Sequence, residues 1–263
     1  MAGSSALRYE AAMSNPKPDS RIATKVFPSP NHGERKGGAP DMIVLHYTGM
    51  PTGSEALMRL TNPVNEVSAH YFIWEDGGVL QLVPEARRAW HAGVASWKGE
   101  SDINSRSIGI EIVNPGHEGG SPPFTDAQIA ATIALCSEIR ARMMIPQHRV
   151  LAHSDVAPAR KCDPGELFPW DRLHAAGVGH YVTPAPISGG RFFSLGDEGQ
   201  PVQALQAMFG MYGYGLQVTG VYDKATEQVV RAFQRHFRPA RVDGVADAST
   251  ITTLRDLIAN APA

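Results

Sequence analysis

Five short stretches between residues 42 and 153 have the apolar content and period of strands. They are Met42–Thr48, His70–Trp74, Val79–Val83, Ser107–Val113 and His148–His153, all rich in Ile, Val, Leu or aromatic side chains. Two of them carry polar groups at telling positions. In Met42–Thr48 a period of two puts Val44, His46 and Thr48 on one face, so His46 projects from a sheet. In Ser107–Val113 (SIGIEIV) Ile108, Ile110 and Ile112 face one way and Gly109, Glu111 and Val113 the other. A carboxylate centred in so apolar a strand is costly to bury unpaired, so Glu111 faces either solvent or a polar cleft. From Thr125 to about Met144 the pattern becomes helical, with Thr125 and Gln128 at capping-box spacing and Pro146 just past the end. Strands mixed with helices predict an α/β fold, a central sheet covered by helices.

The pattern changes again after Tyr181–Gly190 (YVTPAPISGG), a segment with two prolines, two glycines and no charge that reads as a linker. Beyond it three apolar faces recur at helical spacing: Val202, Leu205, Met208 and Phe209; Val229, Val230, Phe233 and Phe237; Ile251, Leu254, Leu257 and Ile258. A repeat supports three helices. Gly220-Val-Tyr-Asp223-Lys-Ala-Thr226 recurs as Gly244-Val-Ala-Asp247-Ala-Ser-Thr250, each copy pairing a glycine turn with an aspartate able to cap the next helix. The expected organisation is a larger domain over residues 22–182 and a small C-terminal three-helix domain over 191–263, with independent cores. The first twenty residues are polar, hold two prolines and show no period, which reads as a loose lead-in.

Composition narrows the function classes. Hydrophobic residues make up 43% and charged residues 19% of the 263, a globular profile, and the net charge of -2 argues against a general nucleic-acid binder. Cys136 and Cys162 are too few for a disulfide framework and are read as free thiols. No apolar run approaches the roughly 20 residues of a membrane span. The segment MAGSSALRYEAAMSNPKPDS has no apolar h-region. The expected compartment is therefore the cytoplasm if this start is native, and the periplasm or cell envelope if a signal segment was removed.

The segment His153-Ser-Asp155-Val-Ala-Pro-Ala-Arg160-Lys161-Cys162-Asp163-Pro164-Gly165 places His153 and Asp163 at the ends of a loop stiffened by proline. With His46 they form two imidazoles and one carboxylate, a set that suits zinc and leaves a fourth position open. Among ten histidines this set alone is a weak signal. In an extended segment Lys161 and Asp163 point to one side and Cys162 to the other, which favours Asp163 over Cys162 as the third ligand. Asp155 either orients a ligand imidazole or bonds nearby backbone amides. His70 and His91 are candidates for substrate contact. His32, His117, His148, His174, His180 and His236 receive no role, and Trp74, Trp90, Trp97 and Trp170 are read as core or cleft wall.

Together the segments IVLHYTG, VSAHYFI, AWHAG, SIGIEIVN and AHSDVAPARKCDPG resemble the zinc N-acetylmuramoyl-L-alanine amidases of the type-2 amidase family, which share the fold of peptidoglycan recognition proteins. The match covers about residues 22–180, with the motifs in the family's order. It implies a central mixed β-sheet flanked by helices, a zinc in a surface cleft held by His46, His153 and Asp163, a catalytic carboxylate at Glu111, and a transition-state contact from Lys161. Some family members use a tyrosine beside the position of His70; here that neighbour is Ala69, which leaves the role to Glu111. The pieces LGDEGQPVQALQ, GVYDKATEQVVRAFQ and DGVADAST resemble a small helical peptidoglycan-binding domain. The implied partner is peptidoglycan or a muropeptide, acted on by a monomer. Two rivals stand beside this reading: a peptidoglycan-recognition protein that binds without cutting, and a zinc hydrolase acting on another amide.

Overall fold

The computed structural model describes residues 16–190 and 192–261. The lead-in expected over the first twenty residues lies, for residues 1–15, outside that range. In chain order the elements are β1 (Lys25–Val26), β2 (His32–Glu34), β3 (Met42–Tyr47), α1 (Gly53–Thr61), β4 (Tyr71–Ile73), β5 (Val79–Gln81) and β6 (Arg87–Ala89). They continue with α2 (Ile103–Arg106), β7 (Ser107–Ile112), α3 (Asp126–Met143), β8 (Val150–Ala152), α4 (His153–Val156) and α5 (Trp170–Ala175). The C-terminal region adds α6 (Gln200–Tyr212), α7 (Lys224–Phe237) and α8 (Ala248–Ala259).

Six strands form the central sheet in the order β1-β5-β4-β7-β3-β8. Strand β3 runs parallel to β7 and β8, β4 parallel to β7, and β4 antiparallel to β5, so the sheet is mixed as expected. Strands β2 and β6 form a separate antiparallel pair. All five expected strands are present, shortened at their ends. His153 opens α4 rather than closing β8, because the Asp155 carboxylate accepts the Ala152 amide at 2.8 Å and turns the chain into a helical turn there. None of the described helices is long and apolar enough to cross a membrane.

Alternation along β3 divides the core. Ile43 and Leu45 join Ile108, Ile110 and Ile112 on the face covered by α3, which contributes Ile129, Leu135, Cys136 and Ile139. Each such isoleucine or leucine stabilises the fold by about 1.5–3 kcal/mol on burial. Helix α3 starts where its cap requires: Thr125 Oγ1 accepts the Gln128 amide at 3.1 Å, and Gln128 Oε1 accepts the Thr125 amide at 3.0 Å. Gln128 Nε2 also donates to Val113 O at 2.6 Å, tying the helix start to the end of β7.

Met42 and Val44 face the other way. They join Trp97, Leu151 and Val156 in a buried cluster that continues into Val202, Phe209, Tyr212, Tyr214, Phe233 and Phe237 of the C-terminal helices. The linker composition predicts two independent cores; the structure instead shows one cluster crossing both regions. The seam is aromatic. The Trp97 ring lies 6.0 Å from that of Tyr212 and 5.0 Å from that of Tyr214. Lys98 N donates to Gly213 O at 2.8 Å. Gly213 has φ +149°, and a Cβ there would sit 2.5 Å from the indole, so the close approach needs glycine. The linker itself lies along α8, with Ala185 N donating to Thr253 Oγ1 at 3.0 Å.

The repeated aspartates cap as expected: Asp223 accepts the Thr226 amide at 2.9 Å and Asp247 the Thr250 amide at 2.8 Å. A second repeat lies beneath the first. The buried Gln206 side chain accepts the amides of Thr219 and Gly220 and donates to Val221 O. Gln234 does the same for Asp243, Gly244 and Val245 O.

Because the core is shared, tryptophan fluorescence and far-ultraviolet circular dichroism are expected to follow one denaturant transition, since every tryptophan precedes the linker and α6–α8 follow it. Trp97→Ala is expected to lower the stability read from that transition by about 3–5 kcal/mol. Two separated transitions, or a negligible effect of Trp97→Ala, would contradict a common core.

Candidate active site

Parallel pairing brings the C-terminal ends of β3, β7 and β8 to one edge of the sheet, the edge at which ligands bind in open sheets of this kind. His46 of β3 stands in register with Glu111 of β7. Ala152, paired with Leu45, ends β8 and is followed at once by His153. The loop that follows brings Asp163 back to the same edge, where its carbonyl accepts the Ser154 amide at 3.0 Å.

His46 Nδ1 lies 2.8 Å from His153 Nδ1 and 3.1 Å from Asp163 Oδ2, and His153 Nδ1 lies 2.9 Å from the same oxygen. All three residues are buried. The hydrogen bonds behind the rings assign their tautomers. Ser107 has a single hydroxyl proton, donated to Ile103 O at 2.6 Å, so its oxygen must accept from His91 Nε2 at 3.1 Å. His91 Nδ1 is then bare and accepts from His46 Nε2 at 3.0 Å, which leaves His46 Nδ1 bare and facing the centre. His153 donates from Nε2 to Ala92 O at 3.2 Å, so its Nδ1 is bare as well. Burial, followed by the neighbouring His153, pulls His46 down to about 4, which keeps that ring neutral near pH 7.

Two imidazole lone pairs and a carboxylate oxygen thus converge with no proton among them. Such a set is repulsive by itself and fits a cation, and these three residues are a geometric metal-binding group. Glu111 Oε2 is buried beside them with no hydrogen-bond partner among the described residues. Burial pushes the Glu111 carboxyl well above the usual carboxylate range; the Asp163 charge adds to this and Lys161 opposes it. The site opens into a cleft of about 470 Å³ lined by apolar side chains such as Met50 and Leu60 and by the cationic Arg59, Arg160 and Lys161.

Known proteins resemble this chain in sequence and fold. Residues 36–166 match the N-acetylmuramoyl-L-alanine amidase family, and residues 198–254 match a peptidoglycan binding domain. The N-acetylmuramoyl-L-alanine amidase AmiD of Escherichia coli is 37% identical over 224 residues, which cover 80% of this chain and 79% of that protein. The chain belongs to the N-acetylmuramoyl-L-alanine amidase family. The 1,6-anhydro-N-acetylmuramyl-L-alanine amidase AmpD of Enterobacter cloacae is 36% identical over 173 residues, covering 59% of this chain and 90% of its own. Among solved structures, the complex of the Escherichia coli AmiD with anhydro-N-acetylmuramic acid-L-Ala-D-gamma-Glu-L-Lys superimposes with a TM-score of 0.72 at 34% identity, covering 86% of this chain and 92% of that one. AmpDh3 from Pseudomonas aeruginosa, solved with an anhydromuramic pentapeptide, gives 0.70 at 31% identity, covering 87% and 94%.

In this amidase the residues expected from sequence come together with one exception. His46, His153, Asp163, Glu111, Lys161 and His91 meet at the cleft or directly behind it. His70 does not reach it. Its ring is fully buried, Nδ1 accepts the Gly109 amide at 2.9 Å, and Nε2 lies 3.1 Å from Arg87 O. Burial and the Arg35 charge hold His70 at about 3, a neutral ring that ties neighbouring strands together. Cys162 also borders the cleft, but its Sγ lies 3.0 Å from Tyr47 Oη and outside the convergent set. Ala69 is buried and offers no polar group.

Sequence reading missed two cleft cations. Arg59 lies in the last turn of α1, whose start was signalled by Thr52 and Glu55 at capping spacing. Arg160 stood inside the quoted loop motif; its guanidinium donates to Ala92 O at 2.9 Å, the carbonyl that also receives His153 Nε2.

Gly109 tests whether His91 aims His46. A Cβ at Gly109 would lie well inside contact distance of the His91 ring, whereas one at Gly38 would meet nothing within 4 Å. Gly109→Ala is therefore expected to weaken metal affinity about 10-fold or more, measured by competition with a chromophoric chelator, and Gly38→Ala to leave it unchanged. Wild-type affinity in Gly109→Ala would show that His91 does not orient the ligand.

Proposed function

We propose that this protein is a zinc-dependent N-acetylmuramoyl-L-alanine amidase that hydrolyses the bond between the lactyl group of N-acetylmuramic or anhydro-muramic acid and L-alanine. The observation that carries the reading is the proton-free convergence of His46, His153 and Asp163 beside the partnerless Glu111 oxygen. Two imidazoles and one carboxylate match the donor set of hydrolytic zinc sites, which keep a fourth position open. When bound, zinc supplies Lewis acidity, polarising a carbonyl and acidifying water toward a pKa of about 7.

The chain's own groups take the remaining roles. Glu111, with its raised proton affinity, accepts a proton from water at Oε2 and returns it to the departing amide nitrogen. Lys161, exposed at the cleft, meets the negative charge that develops on the scissile oxygen. His91 and Ala92 O hold the two imidazoles in the tautomers that present Nδ1. The cationic Arg59 and Lys161 suit an acidic stem peptide, and the related Escherichia coli AmiD is solved with a substrate containing D-gamma-Glu. Residues 22–182 carry the chemistry, and residues 191–263 hold the enzyme on polymeric wall, in line with the match of 198–254 to a peptidoglycan binding domain.

Two measurements test this. Chelation should abolish release of stem peptide from an anhydro-muropeptide, followed by mass spectrometry, and zinc should restore it. Glu111→Gln should retain zinc by elemental analysis and lose about 100- to 10,000-fold in kcat, because an amide cannot take up the proton. Full turnover by metal-free protein ends the zinc reading; near-normal kcat in Glu111→Gln moves the base elsewhere.

A further inference from the structure

Asp155 is fully buried and accepts three hydrogen bonds. One comes from its own region: the Ala152 amide reaches Oδ2 at 2.8 Å. The other two come from beyond the linker. Tyr214 Oη donates to Oδ1 at 2.7 Å, and His236 Nδ1 donates to Oδ2 at 2.7 Å. Both donors are themselves locked against the amidase region. The His236 ring stacks on Trp170 of α5 at 3.7 Å, and the Tyr214 ring meets Trp97 at 5.0 Å.

The position of this carboxylate matters more than its number of partners. Asp155 is the third residue of α4, and its bond to Ala152 N sets the first turn of that helix. Between the two bonded groups lie His153 and Ser154, and both ring nitrogens of His153 are committed, Nε2 to Ala92 O and Nδ1 to the convergent centre. A shift of α4 therefore moves Nδ1 directly. A buried carboxylate oxygen that loses a donor is driven to find another, which it can do only by moving α4 or admitting water.

We propose that Tyr214 and His236 are positioning residues for the metal ligand His153, acting through Asp155, so that the C-terminal helices are part of the metal centre's support. The proposal rests on the metal reading above and adds to it a second role for the region that matches a peptidoglycan binding domain. Nothing in the periodicity of α7 marks His236, and Tyr214 lies in the loop after α6; only the packing of the two regions brings them to Asp155.

The test uses the full chain. Zinc affinity is measured by chelator competition for the unaltered protein, Tyr214→Phe, His236→Leu, His236→Asn and Tyr222→Phe, and the visible spectrum of each cobalt-substituted form is recorded. Tyr222→Phe is the matched control: it removes a buried hydroxyl of the same region that donates to Gly244 O at 2.8 Å and does not touch Asp155. Tyr214→Phe and His236→Leu are each expected to weaken zinc binding about 10-fold and to alter the cobalt bands. His236→Asn, which keeps an N–H where Nδ1 stood, should recover most of the affinity, and Tyr222→Phe should match the unaltered protein. Should His236→Leu fail to fold, Tyr214→Phe against Tyr222→Phe decides the matter. Unchanged affinity and spectra in Tyr214→Phe, equal losses in Tyr222→Phe, or no recovery in His236→Asn would overturn the positioning role. Failure of the unaltered chain to bind zinc would instead overturn the metal reading beneath it.

Discussion

Three electron-pair donors facing one another across about 3 Å of buried space are the constraint from which the rest of this structure follows. Left alone, such a cluster would protonate or spread apart. Here each imidazole is held from behind, His46 through the chain His91–Ser107–Ile103 O and His153 through Ala92 O, so neither can turn its N–H toward the centre. The site is thereby built to a cation's requirements before any cation arrives.

That arrangement explains features which are puzzling singly. Gly109 interrupts an isoleucine-rich strand because the His91 ring packs directly over it. Glu111 sits in the same strand because pairing with β3 sets it opposite His46, at the edge where parallel strands end. The face of β3 that carries His46 also carries Met42 and Val44, whose cluster includes residues from beyond the linker, so the scaffold that aims His46 and the helices that match a peptidoglycan binding domain share one core. The linker joins two regions in sequence without making them separate bodies in packing.

Much of this was legible in the sequence, for identifiable reasons. Period-two alternation identified the faces of β3 and β7, and the capping box located α3 to within a residue. The Gly-Val-x-Asp repeat announced the starts of α7 and α8. Strands β1, β2 and β6 escaped because two or three residues carry no period. Helix α1 escaped although Thr52 and Glu55 marked its start, because its apolar stripe is short. His70 stood as a candidate for substrate contact, but the register, with Gly109 N on its Nδ1, shows that it faces the interior. The seam around Trp97 and Asp155 was out of reach, since residues more than fifty positions apart meet there and no local pattern encodes that docking.

The identity of the atoms around the metal is the decisive property of this site. Zinc-edge X-ray absorption on the loaded protein reads them directly, because sulfur and nitrogen or oxygen scatter at different distances, about 2.3 Å against about 2.0–2.2 Å. The expected shell holds nitrogen and oxygen only, with the multiple-scattering signature of two imidazoles, from His46, His153 and Asp163. A sulfur contribution would place Cys162 on the metal in place of Asp163, and a single imidazole would remove His46 or His153; either result would contradict the site described above.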